Sequence, residues 1–398
     1  MKLSLAPKPC MECGGDGIFH RVTYWSIVID GLLAPAAAPR FLTRLIAPLE
    51  RWLTPRMLDA LMNLGVARRV RQPDEGTQLL ALMSWKEAER RGIEVHEFRL
   101  FGLPRNIFLA RYQDGRRIAY EGLPLPMEGE LARAQWMDDK AELKRRFRTL
   151  GLPVAKGGDA SSMREARRIF SELRPPVIAK PSSGSGSRHT TLHIDDEAAL
   201  ERGFRVAKQV APSVVIEEEL VGPVYRATVV DGRFAAALRR DQPHVVGDGR
   251  STVEELVARA NEHPGRQGPY FHRMLLNDAA RTELAWQGYL PETVLPEGAR
   301  AVLHQKINWS LGGTTCDVTD DVHPDNVALF EEVAGTLRAP IVGIDFIIAD
   351  IGRSWREQER CGILECNSMP FYDNHHLPFE GQPRDVARLV WDMVERAS

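Results

Sequence analysis

The chain has 398 residues, too many for one ordinary core, and we therefore expect two or three lobes. With 43% hydrophobic and 27% charged residues, it has the composition of a soluble globular protein. The 52 lysine and arginine residues nearly balance 54 aspartate and glutamate residues, so the net charge of −2 gives no support for a nucleic-acid-binding surface.

The first predicted unit is a helical extension over residues 1–75. It contains "CMECGGDG", whose Cys10 and Cys13 fit the repeat of the zinc-binding region in DnaJ-type chaperones. A tetrahedral zinc ion needs four ligands, however, and the sequence has no second Cys-x₂-Cys pair. We therefore interpret this stretch as a flexible, Gly-rich terminus with two exposed thiols. A zinc ion shared between two chains is the alternative.

Two amphipathic helices are predicted in the rest of this extension, "RFLTRLIAPLERWL" at 40–53 and "RMLDALMNLGVARRVR" at 56–71. Their apolar spacings of three and four favour packing on the main body over binding to a membrane surface or a partner helix. The most apolar stretch, 24–39, is interrupted by one aspartate and two prolines, so we expect no membrane span. Because no signal-peptide pattern is visible, we expect a cytoplasmic protein.

The rest of the chain mixes helices and strands, which predicts an α+β fold. Residues 76–135 contain a helix followed by short strands and form a small α/β lobe. Residues 136–220 run helix–strand–helix–strand–loop–strand–helix–strand and form a second lobe, and residues 221–398 form a third. The third lobe carries a hairpin turn at Asp231–Gly232 and a helix, "STVEELVARAN" at 251–261, that begins at a capping box of its first serine and the glutamate three residues later.

Two late strands, "IVGIDFIIAD" and "CGILECNSMP", carry polar residues inside apolar runs. An unpaired carboxylate at Asp345 would be costly there, while Glu365 and Asn367 lie two residues apart and point to one face of their strand. If the strands pair, the three side chains converge, and hard oxygen ligands of this kind suit Mg²⁺. The alternative is an aspartate and a glutamate at exposed strand ends.

A strand that ends at Lys180 is followed by a Gly/Ser-rich loop in "VIAKPSSGSGSRHTTLHI". Small residues let the backbone approach a ligand closely, and phosphate is the best-known ligand of such loops. The loop is no Walker A motif, because the lysine precedes the glycines. With the predicted metal ligands, it indicates a nucleotide site; a solvated linker is the alternative.

Eight segments between residues 136 and 396 resemble the ATP-grasp superfamily, and within it the ATP-grasp module of cyanophycin synthetase. They occur in the family's order: "MDDKAELK", "VIAKPSSGSGS", "VVIEEELVG", "VVGDGRSTVEELVARAN", "NWSLGGTTCDVTDDVHPDN", "GIDF", "LECNSMP" and "GQPRDVA". D-alanine–D-alanine ligase and glutathione synthetase-type enzymes are also similar. The resemblance implies an ATP-grasp fold, in which a central lid subdomain (136–220) and a C-terminal subdomain (221–398) clamp a nucleotide.

The resemblance also implies roles for individual residues. Lys140 and Lys180 would contact the nucleotide phosphates, and Glu217 would accept a hydrogen bond from the adenine amino group. The backbone contacts to the phosphates and to adenine would come from the loop Ser182, Ser183, Gly184, Ser185, Gly186 and Ser187 and from the hinge residues Glu218 and Glu219. The magnesium ligands would be Asp345, Glu365 and Asn367. Arg240 would support the transferred phosphoryl group, beside a reacting centre lined by Asn308, Gly312 and Gly313.

The implied activity is that of an ATP-dependent ligase that forms an amide bond through an acyl phosphate and releases ADP and phosphate. The expected cofactors are ATP and one or two Mg²⁺ ions, with Mn²⁺ as an alternative metal. The expected partners are a small-molecule carboxylate and amine, on amino acids or short peptides, and a second copy of the chain in a homodimer. A kinase-like ATP-grasp phosphotransferase and a non-catalytic nucleotide-binding regulator are the alternative functions.

Three features depart from the family pattern. Val224 stands where relatives usually have an acidic residue for the ribose hydroxyls, which weakens the expected ribose contact. His304 stands where an arginine is expected, so we expect acyl-substrate recognition to differ. The Mur-ligase-like half of cyanophycin synthetase has no counterpart in these residues, and we expect no second elongation activity.

Overall fold

The structure is a computed structural model that describes residues 10, 19–25, 56–100, 103–125, 137, 140–182, 189–268 and 270–397. Within these ranges the strands form four sheets. The strands are β1 (Ala67–Val70), β2 (Glu94–Leu100), β3 (Leu103–Arg111), β4 (Arg117–Glu121), β5 (Gly157–Ala160), β6 (Val177–Pro181), β7 (Thr191–Ile194), β8 (Val214–Glu218), β9 (Val224–Val230), β10 (Arg233–Asp241), β11 (His244–Val246), β12 (Arg300–Val302), β13 (Thr314–Asp317), β14 (Ile341–Ile347) and β15 (Gly362–Asn367). The helices are α1 (Leu79–Arg90), α2 (Lys140–Thr149), α3 (Met163–Ser171), α4 (Glu197–Lys208), α5 (Val253–Ala260), α6 (Asp278–Trp286), α7 (Pro324–Leu337), α8 (Asp373–His376) and α9 (Val386–Ala397), with short helical segments at 20–25 and 56–63.

The N-terminal sheet is an antiparallel meander in the order β1-β2-β3-β4. Its core includes Trp85 of α1, Phe108, Tyr120 and Trp391 of the last helix, α9. The Trp391 indole N–H donates a hydrogen bond to the Ser84 carbonyl oxygen at 3.0 Å. The C-terminal helix therefore completes the N-terminal core. The predicted lobe boundaries stay a prediction, and they separate elements that pack together.

The predicted helix over 56–71 is wrong in its second half. Helical structure ends at residue 63, and Ala67–Val70 form β1, which pairs with β2. Gly65 has a φ of +73°, the left-handed conformation that commonly ends a helix. The other predicted amphipathic helix, 40–53, lies outside the described residues. None of the helices in the described ranges is long and apolar enough to cross a bilayer.

The second lobe is an antiparallel sheet in the order β5-β8-β6-β7, with α3 and α4 packed on one face. Val177 and Ile216 contribute to this apolar face together with Leu200 of α4. Because strand side chains alternate between the two faces, Lys180 and Glu217 point to the face opposite the helices. The chain between β6 and β7 contains the predicted phosphate loop, of which residues 183–188 lie outside the described ranges.

The third lobe contains a five-stranded antiparallel sheet in the order β13-β10-β9-β14-β15. One face packs on α7, where Phe330 meets Phe346 edge to face with ring centroids 5.4 Å apart. The opposite face therefore presents the alternate residues of β9 and β14, which include Arg226 and Asp345. The predicted turn at Asp231–Gly232 joins β9 to β10 and is confirmed, with φ values of 51° and 71°.

A small subdomain built from β11, β12, α5 and α6 is inserted in the third lobe and has its own apolar core. The predicted helix after "GDGR" is present, but its cap begins one residue later than expected. Thr252, not Ser251, accepts from the backbone N–H of Glu255, and Glu255 reciprocates in a capping box; Glu254 takes no part in it. Ser251 is unavailable for the cap because its backbone N–H and hydroxyl both bond to Asp248.

Candidate active site

Two buried lysines share one buried carboxylate in the second lobe. The ammonium groups of Lys144, on α2, and Lys180, on β6, each contact one carboxylate oxygen of Glu217 on β8. The register pairs Ile178 with Glu217 and Lys180 with Val215, which places Lys180 and Glu217 diagonally on the same face. Helix α2 delivers Lys144 to this point because Leu143 and Phe147 anchor it in the core of the third lobe.

This lysine cluster (Lys144, Lys180 and Glu217) carries more positive than negative charge when ionised. Burial by itself would raise the pKa of Glu217, but the two ammonium groups outweigh it and lower that pKa. Burial lowers the pKa of Lys144, and Glu217 opposes that shift only in part. One carboxylate is thus insufficient for two buried ammonium groups, and an anionic ligand such as phosphate would restore the balance.

The sequence predicted Lys180 as a phosphate contact and Glu217 as an acceptor for adenine, and it missed Lys144. The side chain of Lys140 lies outside the described part of the structure, so its predicted role stays a prediction. Lys144 is four residues after Lys140 and therefore on the same side of α2, a spacing that offered the only sequence signal for it. Ser182 is described and donates its backbone N–H to the Ser213 carbonyl oxygen at 3.1 Å, whereas Ser183, Gly184, Ser185, Gly186 and Ser187 are not described.

The three predicted metal ligands lie on one face of the five-stranded sheet. Asp345 on β14 is directly opposite Glu365 on β15, and Gly343 is opposite Asn367. Since paired residues and residues two apart share a face, the two carboxylates and the amide are neighbours there. The juxtaposition that the sequence predicted is therefore present, and it depends on the antiparallel pairing of these two strands.

Two arginines complete what we call the arginine–acid face: Arg226, Arg240, Asp345, Glu365 and Asn367. Arg226, 7% exposed, binds the Asp345 carboxylate with Nε and Nη2, the Nη2 to Oδ2 distance being 3.0 Å, and Arg240 donates to the same Oδ2 at 3.3 Å. Burial by itself would raise the pKa of Asp345, but the charges of the two arginines lower it. Asp345 is thus held as a carboxylate. Arg226 is not among the site residues predicted from the sequence.

Comparisons of sequence and of structure both found similar proteins, although no family model matches. A cyanophycin synthetase from a Nostoc species is 34% identical over 260 residues, which are 64% of this chain and 29% of that protein. The glutathione biosynthesis bifunctional protein GshAB of Streptococcus thermophilus is 30% identical over 270 residues, 65% of this chain and 35% of that protein. The crystal structure of a bifunctional glutathione synthetase from Pasteurella multocida has a TM-score of 0.59 at 22% identity and covers 80% of this chain and 43% of that one.

The chain has the ATP-grasp fold. The fold class and the resemblance that the sequence predicted are thereby confirmed. The chain spans 29% and 35% of the length of the two curated relatives, so each relative contains a large part that has no counterpart here.

The donor set of this ATP-grasp chain fits a magnesium ion. Two carboxylates and an amide provide the oxygen ligands that Mg²⁺ prefers, and Asp345 is ionised. The Asn367 Nδ2 atom and the Arg240 Nε atom are buried without a hydrogen-bond partner among the described residues. Buried polar atoms of this kind normally have partners, and a bound polyanion with its metal would supply them.

The predicted hinge follows β8 and is held by backbone hydrogen bonds. The backbone N–H groups of Glu218 and Glu219 donate to the carbonyl oxygens of Lys156 and Pro176 at 2.8 and 3.0 Å. These donors are occupied, so a predicted adenine contact would have to use the carbonyl oxygens. A cavity of about 310 Å³ beside the hinge is lined by Val154, Ala155, Lys156, Arg174, Glu218, Leu220, Glu359, Arg360 and Cys361, and Glu217 is not part of it.

The predicted reacting-centre residues form one tight turn before β13. Asn308 caps the turn, accepting from the Ser310 backbone N–H at 2.9 Å, and Gly313 donates its N–H to the Asn308 carbonyl oxygen at 2.9 Å. Gly312 has a φ of +95°, which favours glycine, and its carbonyl oxygen accepts from the buried Arg266 at 2.8 Å. The turn leads into β13, which pairs with the end of β10 beside Arg240.

Two buried polar residues near Arg226 were also missed by sequence reasoning. His375 is fully buried and lies 2.8 Å from the Thr228 hydroxyl, and burial, reinforced by the charge of Arg226, lowers its pKa to about 3. Burial raises the pKa of Asp373 to about 6. Both follow "LECNSMP" in the sequence, and this position shortly after the predicted metal ligands was the available signal.

Proposed function

We propose that this chain is an ATP-dependent ligase that joins a carboxylate to an amine, on amino acids or short peptides, through an acyl phosphate. The observation that carries the proposal is the arginine–acid face, which presents three oxygen ligands and two guanidinium groups side by side. Amide-bond formation by this route needs a nucleotide phosphate, a metal and a cation near the activated carboxylate, and this face has residues for the last two. The names of the relatives, cyanophycin synthetase and glutathione biosynthesis bifunctional protein, support it.

In the proposed mechanism the lysine cluster binds the phosphates of ATP. Lys144 and Lys180 share the single carboxylate of Glu217. Phosphate oxygens would neutralise the positive charge that this carboxylate does not balance. Lys140 and the backbone of Ser182–Ser187 would add the contacts that the family resemblance implies. A loop of small residues can fold over the phosphates and exclude water, which protects an acyl phosphate from hydrolysis.

Asp345, Glu365 and Asn367 would hold Mg²⁺ in this mechanism. The ion, when bound, would neutralise part of the negative charge on the phosphate oxygens. Arg226 fixes the position of Asp345 through a two-point contact, which is a geometry that lysine cannot provide. Arg240 is 3.3 Å from the same carboxylate and would support the phosphoryl group during transfer to the substrate carboxylate.

The turn of Asn308, Gly312 and Gly313 would line the reacting centre. Its backbone is fixed by the Arg266 and Asn308 contacts, so it can orient a substrate without rearranging. The amine then attacks the acyl carbon, the amide bond forms and phosphate leaves with the electron pair of the broken C–O bond. The amine loses one proton in this step.

A release assay for ADP tests the proposal. The purified chain is given ATP, Mg²⁺ and pairs of amino acids or dipeptides, and mass spectrometry identifies the product. We expect ADP release that requires both a carboxylate and an amine and a product equal in mass to both substrates minus water. Glu365→Gln should abolish release without loss of folding, and Glu254→Gln, an exposed residue on α5, should leave release unchanged. ADP release without any amine would instead indicate a phosphotransferase, and ATP binding without release would indicate a regulator.

A further inference from the structure

A cysteine and two histidines meet in the second lobe, and none of them is among the proposed ligase residues. The side chains are those of Cys10, His20 and His189, and their ligand atoms all lie within 4.8 Å of one another. Cys10 Sγ is 4.0 Å from His189 Nε2, and the rings of His20 and His189 are nearly perpendicular with centroids 4.6 Å apart. We propose that these three side chains bind a structural zinc ion.

The hydrogen bonding of His189 is that of a metal ligand. Its Nδ1 atom is 3.0 Å from the Val206 carbonyl oxygen. Because a carbonyl oxygen only accepts, Nδ1 carries the proton and the Nε2 lone pair points toward Cys10 Sγ. A metal-binding histidine almost always donates its second ring nitrogen in this way, which fixes both the tautomer and the ring orientation. His189 is also completely buried, so the ring cannot exchange this arrangement for contact with water.

The donor set selects zinc over magnesium or calcium. One thiolate and two imidazoles are ligands of zinc sites, whereas Mg²⁺ and Ca²⁺ take oxygen. Zinc bonds of about 2.3 Å to sulfur and about 2.0 Å to nitrogen place tetrahedral ligand atoms roughly 3.3–3.6 Å apart. The observed separations need only a small contraction to reach these values. Binding releases the thiol proton of Cys10, and a water molecule or a further protein donor completes the tetrahedron.

The sequence interpretation of "CMECGGDG" changes accordingly. The sequence pattern predicts a terminus with two exposed thiols, with a zinc ion shared between two chains as the alternative; Cys13 lies outside the described residues. Cys10 is half-buried, and its histidine neighbours come from the same chain. The sequence signal was incomplete because His189 is 179 residues away from Cys10.

The zinc site would join the N-terminal segment to the end of the phosphate loop. His189 lies two residues before β7 and two residues after Ser187, the last residue of the predicted phosphate loop. A metal bond at His189 would fix the chain immediately downstream of that predicted loop. The role is structural, since none of the three ligands belongs to the lysine cluster or the arginine–acid face.

Metal analysis of the purified full-length chain tests this site. We expect about one zinc ion per chain by mass spectrometry of the metal content after dialysis against excess Mg²⁺. Cys10→Ser and His20→Gln should each reduce zinc at least several-fold, and both residues are only half-buried, so the variants should fold. Cys316→Ser and the exposed His272→Gln are matched controls that should retain zinc. Glu365→Gln should also retain it, which separates this site from the arginine–acid face.

A second measurement identifies the thiolate ligand. Cobalt(II) added to the chelator-treated chain should give the visible absorption of a tetrahedral site and a thiolate charge-transfer band, and Cys10→Ser should lose that band. A wild-type chain that binds neither zinc nor cobalt would overturn the proposal. Full zinc retention in folded Cys10→Ser or His20→Gln would do the same, because it would reduce the contact to a thiol–imidazole hydrogen bond. Neither outcome depends on ligase activity.

Discussion

The two charge clusters of this ATP-grasp chain differ in their charge balance. In the lysine cluster, two ammonium groups share the single carboxylate of Glu217. On the arginine–acid face, two guanidinium groups meet Asp345, and a second carboxylate, Glu365, lies directly opposite on the neighbouring strand. The first cluster needs an anion from outside the chain, whereas the chain itself balances the second.

The difference indicates separate roles for the two clusters. A buried surplus charge destabilises the fold until a ligand of opposite charge binds. The lysine cluster therefore lowers the stability of the ligand-free chain and favours binding of an anion. On the arginine–acid face, Arg226 and Arg240 share the buried Asp345 carboxylate, and removal of Asp345 leaves both guanidinium groups without it. We therefore expect substitutions in the first cluster to affect turnover and substitutions at Asp345 to affect folding as well.

The largest expected effect is that of Asp345→Ala. This change leaves Arg226 and Arg240 without their shared carboxylate, and we expect the free energy of unfolding to fall by about 3–5 kcal/mol. Denaturant unfolding of the purified variant measures it. From the sequence alone we would expect this variant to lose ATP turnover with the fold intact, and the two arginine contacts are the reason for the revision.

Asp195→Ala removes an exposed aspartate and is the matched control, with an expected change within about 0.5 kcal/mol. Equal unfolding curves for Asp345→Ala and the control would show that the arginines do not depend on Asp345.

Lys180→Met should reduce ATP turnover roughly 10²–10³-fold, because a preorganised cation is removed from the developing phosphate charge. Stability should change little, within about 1 kcal/mol, since Glu217 keeps Lys144 as a one-to-one partner. Turnover and denaturant unfolding are measured on the same preparation.

Glu217→Gln provides the contrasting variant. It leaves two buried ammonium groups without a carboxylate and should lower the free energy of unfolding clearly more than Lys180→Met. The reverse order would contradict the assigned charge balance.

Acid should destabilise the chain through His375. Its pKa is lowered to about 3 in the folded state, so below pH 6.5 the unfolded chain binds a proton that the folded chain does not. The free energy of unfolding should therefore fall by about 2–3 kcal/mol between pH 6.5 and 4.5 through this residue. His375→Gln should lack this component, and the exposed His272→Gln should keep it. If the free energy of unfolding changed equally with pH in the wild type and in His375→Gln, a contribution of His375 would be excluded.

The smallest expected effect is that of Val224→Glu. Val224 begins β9 beside Arg240, at the position where the family resemblance places an acidic residue for the ribose. One or two added hydrogen bonds of about 0.5–1.5 kcal/mol each should lower KM for ATP several-fold. Steady-state kinetics measure the change, with Val224→Leu as a control that adds no acceptor. An unchanged KM would mean that the ribose does not lie next to β9.

Local pattern predicted some features well and others poorly. Asp231–Gly232 defines its hairpin because both residues must adopt a positive φ, which is a property of the residues themselves. The cap of α5 was displaced by one residue because Asp248 competes for Ser251. The helix over 56–71 was predicted too long because pairing with β2 overrides the apolar periodicity after Gly65. Each error arises where a second segment decides between two locally acceptable structures.

Within the candidate site, residue spacing was sufficient to predict which side chains lie together only where the partners lie on paired strands. Glu365 and Asn367 share a face by alternation, and Asp345 joins them once β14 and β15 pair. Lys144 could not be distinguished from Lys140, since both occupy the same side of α2 and only packing decides which is buried against Glu217. The sequence indicated no partner for Arg226, and only the strand register places it opposite Asp345.

The amino-acid sequence by itself determined the mixed fold, the order of the segments and the residue types that a nucleotide and a metal require. Tertiary structure alone decided which polar side chains meet: the pairing of Lys144 with Glu217, the two arginines on Asp345, and the contact of Cys10 with His189. The physical reason is that the cost of a buried charge depends on its neighbours in space, and those neighbours lie 73, 119 and 179 residues away along the chain.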